Sequence, residues 1–282
     1  MSAAAIRTIK LSSGEAIPVL GQGTWGMAED ARRREDEIAA LRLGLDLGMT
    51  LIDTAEMYAN GAAEELVGEA IAGRRDDVFL VSKVLPDHAT RRGTLAACEG
   101  SLRRLGTDRL DLYLLHWRGS VPLEETLAAF AALARVGKIR YWGVSNFNVP
   151  DLEELVELPG GTAVTTDQVL YNLTRRGIEY DLLPWCRQRG ISIMAYSPIE
   201  QGRLLGHPVL RDMAARHGAT PAQVALAWVL RQDGLNVIPK AGEPVHVREI
   251  RAALDLRLTE QDLAVLDRAF QPTTGPRLLE ML

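Results

Sequence analysis

Short apolar runs alternate with stretches of helical period about eight times along the chain. The runs at 19–23, 50–53, 78–83, 110–116, 140–145, 164–168, 191–196 and 236–239 read as strands. Helical period follows near 34–47, 62–72, 92–105, 123–136, 149–157, 180–189, 209–230 and 246–254. Strands that are apolar almost throughout belong to a parallel sheet buried on both faces. The 209–230 stretch breaks into two helices around Gly218 and Pro221, since proline suits a first helical turn. Thr259-Glu-Gln-Asp262 opens one more helix, 259–270, in the manner of a capping box. A hairpin, Ile6–Leu11 and Ile17–Leu20 about Ser13-Gly14, precedes the first unit. No linker or repeat interrupts residues 1–282. The pattern predicts one α/β domain, a closed (β/α)8 TIM barrel whose amino-terminal mouth is plugged by the β-hairpin and whose end carries an extra C-terminal helix.

Three of these runs end on ionisable residues: Met49-Thr-Leu-Ile-Asp53, Val78-Phe-Leu-Val-Ser-Lys83 and Leu110-Asp-Leu-Tyr-Leu-Leu-His116. Tyr58 follows the first run by five residues. Barrel active sites lie at the carboxyl ends of the strands, and neighbouring strands are about 4.8 Å apart, so the four side chains can converge. Buried charge persists where it is paired or functional.

Composition narrows the classes. A net charge of −5 offers no footprint for nucleic acid or an anionic membrane. Met1–Leu11 has no apolar signal core, and no run approaches the roughly 18 residues of a membrane span. Cys98 and Cys186 lie far apart in helical segments and read as inert core thiols. A cytoplasmic protein, monomeric or weakly oligomeric, is expected. Only four lysines occur, Lys10, Lys83, Lys138 and Lys240, against an otherwise arginine-rich set of cations. Two of them, Lys83 and Lys240, end apolar runs.

A phenol, with an ordinary pKa near 10, gives up its proton readily only where its anion is stabilised. The Lys83 ammonium favours phenolate and is expected to lower the Tyr58 pKa, while Asp53 keeps the lysine charged and aimed. Tyr58 can then protonate a developing alkoxide, with His116 hydrogen-bonding the same oxygen. Protonating a carbonyl without a metal calls for hydride at the carbon, and nicotinamide is its usual source.

The residues also carry a resemblance. Leu20-Gly-Gln-Gly-Thr-Trp25, Asp53-Thr-Ala-Glu-Met-Tyr58, Ser82-Lys83, Leu115-His-Trp117, Gly143-Val-Ser-Asn-Phe147, Gln168, Ala195-Tyr-Ser-Pro198 and Ile238-Pro-Lys240 make the chain similar to aldo-keto reductases over essentially its whole length. Within that family it looks most like bacterial reductases of small dicarbonyls and sugar-derived ketones. The resemblance implies NADPH bound extended without a Rossmann domain, and carbonyl-to-alcohol reduction with Tyr58 as acid/base beside Asp53, Lys83 and His116. It implies that Gly23, Thr24 and Asp53 border the cofactor, that Ser145, Asn146 and Gln168 hold its carboxamide, and that Tyr196 stacks on its ring. Ser197, Pro198, Gln201 and Gly202 would meet the phosphates, and Lys240, His246 and Glu249 the adenosine end. Where many members carry serine, arginine and asparagine after Lys240, this chain has Ala241, His246 and Ile250. That thinner clamp admits NADH beside the favoured NADPH.

Bland readings stand beside these. A lone strand-end lysine can snorkel, a lone histidine can be satisfied core, and a lone loop tyrosine says little; the constellation is what points to chemistry. Trp25 and Trp117 read as core or rim filling, or as walls of a substrate pocket with Tyr58 and His116. Trp142, Trp185 and Trp228 read as packing. His88, His207 and His217 have no metal-ligand spacing, and no metal is expected. Gly21-Gln-Gly-Thr-Trp-Gly26 matches the dinucleotide fingerprint literally, but no helix opens on it, so a barrel loop explains it better. Short segments at Trp117–Pro122 and Pro272–Leu282 suggest an open pocket for small carbonyls, and Arg118 is placed to attract a carboxylate or polar oxygen. Two other classes compete with the reductase. A nucleotide-binding regulatory barrel would show loss of a tetrad member, and a metal-dependent barrel hydrolase or isomerase would show a ligand cluster at strand ends.

Overall fold

The structure, a computed structural model, describes residues 6–282. The expectation about a signal core in Met1–Leu11 therefore falls partly on residues outside the described ones. Two short strands, β1 (Thr8–Lys10) and β2 (Ala16–Pro18), form the antiparallel hairpin, with Ile9 opposite Ile17. Eight parallel strands follow: β3 (Gln22–Gly23), β4 (Leu51–Asp53), β5 (Phe79–Val84), β6 (Leu110–Leu115), β7 (Ile139–Ser145), β8 (Thr166–Leu170), β9 (Ser192–Tyr196) and β10 (Leu235–Val237). Each pairs with the next in chain order. Bridges from Leu20 to Val237 and from Gly23 to Lys240 close the ring.

Helices α1 (Arg34–Asp46), α2 (Ala62–Ala70), α3 (Arg91–Leu105), α4 (Leu123–Arg135), α5 (Val149–Glu157), α6 (Leu182–Arg189), α7 (Pro208–His217), α8 (Pro221–Leu230), α9 (Pro244–Ala252) and α10 (Glu260–Ala269) surround it. The expected 209–230 helix is indeed two, and Thr220 caps the second with a full capping box closed by Gln223. Thr259 and Asp262 make the same device on α10.

The core has two layers. Inside the barrel, Leu51, Phe79, Val81, Leu112, Leu114, Met194 and Ile238 pack together with Leu11 and Ile17 from the hairpin, which thereby forms the floor. The larger layer lies between the strands and the helices. Alternation along a strand sends Lys83 and its neighbour Ser82 to opposite layers.

Close packing on both sides of β3 accounts for two glycines of the stretch that imitates a dinucleotide fingerprint. A Cβ on Gly23 would lie 2.6 Å from the carbonyl oxygen of Ile238, next to β10, and one on Gly21 would lie 2.6 Å from Leu51 Cδ2 of β4. Close backbone approach requires these glycines.

Candidate active site

Asp53 ends β4, Lys83 lies one residue before the end of β5, and His116 follows β6 directly. Tyr58 begins a short 3-10 segment, Tyr58–Gly61, between β4 and α2. The fold brings all four to the carboxyl mouth of the barrel. Lys83 Nζ is fully buried and donates to Asp53 Oδ2 at 2.8 Å, to the Thr54 carbonyl at 2.8 Å and to Tyr58 Oη at 3.1 Å. Because the ammonium donates, the phenol's own proton is left for another acceptor. Burial works against the ammonium, but Asp53 and Tyr58 outweigh it and hold Lys83 above the ordinary lysine range.

Tyr58 departs from the expectation of a lowered pKa. Burial pushes the phenol above its ordinary value, and the attraction of Lys83 offsets that only in part. The hydroxyl is therefore protonated at neutral pH. His116 packs edge-on to Tyr58 with ring centroids 5.8 Å apart. Burial, with the Lys83 charge adding to it, pushes the imidazole down to about 2. It is neutral at neutral pH. Its Nδ1 is enclosed without a partner, which leaves Nε2 to meet a ligand.

Above this group opens a cleft of about 630 Å³. Tyr58, His116, Trp25 and Trp117 line it, with the Trp25 ring edge-on to Tyr58 at 5.2 Å. Ser145, Asn146, Gln168 and Tyr196 line it as well. Gln168 Nε2 donates to Asp53 Oδ1 at 2.8 Å, and its Oε1 takes no hydrogen bond among the described residues. Asn146 Nδ2 donates to the His116 carbonyl, and Asn146 Oδ1 accepts from Tyr196 Oη. Lys240, His246 and Glu249 also line the cleft. Lys240 makes no ion pair among the described residues, whereas His246 Nδ1 lies 3.1 Å from Glu249 Oε2.

Residues 19–270 match the aldo/keto reductase family as a whole. The chain belongs to the aldo/keto reductase family. It is 52% identical over 281 residues to the methylglyoxal reductase YeaE of Escherichia coli K12, covering 98% of this chain and 99% of that protein. It is 36% identical to the glyoxal reductase of Bacillus subtilis over 92% of this chain and 91% of that one. An aldo/keto reductase from Klebsiella pneumoniae, solved in complex with NADP and acetate, superposes with a TM-score of 0.96 at 50% identity, covering 99% of this chain and all of that one.

In this aldo/keto reductase the cleft gathers Gly23, Asp53, Ser197, Pro198, Gln201 and Gly202 along with the residues above. Thr24 stands apart: it is fully buried, and its hydroxyl is spent on the Asp53 carbonyl at 2.9 Å. Arg118 does not face the cleft as expected. Its Nη2 forms an ion pair with Glu154 on α5 at 2.8 Å, which holds the guanidinium away from the residues that line the cleft. The tail, expected to leave the pocket open, instead returns to it. Met281 and Leu282 line the cleft, and the Leu282 amide approaches Tyr196 Oη at 3.4 Å. Arg175 holds that tail through Glu280 at 2.6 Å. No local periodicity announces such a return; only the tail's apolar Leu278, Leu279, Met281 and Leu282 hint at a surface to cover.

Among the described residues no cluster of His, Cys, Asp and Glu is arranged to hold a metal ion, and no helix is long and apolar enough to cross a membrane. Cys98 and Cys186 are buried, and burial pushes the Cys98 thiol up to about 12.

Proposed function

We propose that this aldo/keto reductase uses NADPH to reduce small aldehydes and ketones, methylglyoxal-like dicarbonyls and sugar-derived carbonyls among them, with Tyr58 as general acid. The observation that carries the reading is the chain Asp53–Lys83–Tyr58, with a protonated phenol and a neutral imidazole facing one cleft that is also lined by Lys240, which has no ion pair among the described residues.

The residues fit a dinucleotide. Lys240 offers a charge to a phosphate, the Ser197–Gly202 segment borders the same wall, and Gln168 has a free amide oxygen between Ser145, Asn146 and the Tyr196 ring. Bound nicotinamide supplies the hydride. Tyr58 Oη gives its proton to the carbonyl oxygen as negative charge builds there. Lys83, desolvated and held by Asp53, steadies the phenolate left behind. His116, neutral, donates a hydrogen bond that orients the carbonyl and does not compete as an acid. Trp25 and Trp117 wall the substrate end with apolar surface and limit water there.

NADPH oxidation followed optically against a panel of small carbonyls, with NADH in parallel, tests the reading. Tyr58→Phe should lower turnover on the order of 10²- to 10⁴-fold while leaving cofactor binding intact. Turnover that survives the substitution would make Tyr58 the wrong acid.

A further inference from the structure

Lys83 Nζ is fixed from within the barrel by Asp53 and the Thr54 carbonyl, so its position is set by the strands. Tyr58 is different. Among the described residues its one side-chain hydrogen bond is that from Lys83, and its backbone lies on a connection that is conformationally strained. Three successive residues after it adopt left-handed backbone angles, Ala59 (φ 47°), Asn60 (φ 53°) and Gly61 (φ 93°). For the two that carry a Cβ this conformation is unfavourable, and it persists only where surrounding contacts over-determine it. Something outside the turn must therefore hold it, and with it the phenol.

Two carboxylates meet that need. Glu56, two residues before Tyr58, accepts the Leu85 amide at 2.7 Å, and its own amide points to the Lys83 carbonyl at 3.4 Å. Glu64, six residues after Tyr58 and fully buried, accepts the Ser82 hydroxyl at 2.6 Å. Its second oxygen accepts Arg104 Nε from α3 at 2.6 Å. The Arg104 side chain in turn lies across Gly61, where a Cβ would come within 2.6 Å of its Cδ. Ser82 and Leu85 flank Lys83 on the same stretch of chain.

We propose that Glu56 and Glu64 are positioning residues that pin the two ends of the Tyr58 turn on either side of Lys83, one to Leu85 just past the end of β5 and one to Ser82 within it, and so hold phenol and ammonium at reacting distance. Neither carboxylate lines the cleft, so neither touches substrate or cofactor. The pins act on proton transfer and leave dinucleotide affinity alone. This inference rests on Tyr58 being the general acid.

The test is single-turnover reduction of methylglyoxal in water and in deuterium oxide, with NADPH affinity read separately by fluorescence titration. Glu56→Ala and Ser82→Ala, which remove one pin each, should slow the step about 10- to 100-fold and raise its solvent isotope effect, with NADPH affinity unchanged. Glu56→Gln keeps an oxygen for the Leu85 amide and should restore the wild-type rate. The idea is overturned if the rates and isotope effects stay at wild-type values, if NADPH affinity falls in step with the rate, or if Glu56→Gln is as slow as Glu56→Ala. Should Ser82→Ala fail to fold, the two Glu56 variants decide. Tyr58→Phe in the same assay separates the premise from the inference: if it still turns over, the assignment of the acid fails first.

Discussion

Asp167 lies in β8 beside Gln168, fully buried, with Oδ2 unpartnered and only a long contact, 3.5 Å, from the Phe147 amide to Oδ1. Burial raises its carboxyl well above the ordinary range, so the folded chain keeps it protonated where the unfolded chain ionises it. Above an unfolded pKa of about 3.9 the folded state therefore holds the extra proton, and stability falls as pH rises, by about 1.4 kcal/mol per unit until the folded group itself ionises. Asp167→Asn keeps the shape and removes the titration. In urea unfolding the variant's advantage should grow from pH 5 to pH 8; a gap that does not change with pH would show that the carboxyl is solvated or ionised. At this scale the chain was partly legible. The convergence of Asp53, Lys83 and His116 is legible because strand ends meet at a barrel mouth, and Tyr58 joins them from the connection after β4. The direction of the Tyr58 pKa is not, since the sequence names the neighbouring ammonium but not the depth of burial that outweighs it. The direction of Arg118 is hidden for a related reason: Glu154 is far from it in sequence and beside it in space.

Among the elements, β3 is the shortest strand of the barrel and closes it, which makes Gly23 structural. Gly23→Ala places a methyl against the Ile238 carbonyl, a backbone atom that cannot swing aside. The seam must open, at a cost of about 1–3 kcal/mol, the usual range for overpacking. Thermal unfolding checks this: the melting temperature should drop by several degrees, and an unchanged value would mean that the seam yields freely. The other strands were placed from sequence within a residue or two because their apolar runs are buried on both faces. The tail was not, since its path depends on one ion pair, Arg175 to Glu280, and not on any period.

For the whole molecule, the cleft spans the barrel mouth from Trp25 to Glu249, so a ligand that fills it ties distant units together. A ligand bound only by the folded state adds about 2.7 kcal/mol at a hundred times its dissociation constant. For a protein near this size that corresponds to a rise of roughly 5–10 °C in melting temperature. NADPH should produce such a shift, and Lys240→Met should diminish it more than it diminishes the shift with NADH. Equal losses for the two cofactors would place Lys240 away from the extra phosphate. The barrel itself was legible in the alternation of runs, including the plug and the final helix, because each unit repeats the same physical pattern. No helix opens on the fingerprint-like glycines, and the packing that Gly21 and Gly23 answer to involves strands distant in sequence.

The scarcity of lysine gives the buried ammonium one more consequence. Lys10, Lys138 and Lys240 all have accessible surface, whereas Lys83 has none. An amine-acylating reagent will meet three of the four side chains on the folded protein, and the fourth only when the barrel breathes open. The rate at which Lys83 acquires a label, referenced to the other three in the same digest, is a built-in clock for that opening.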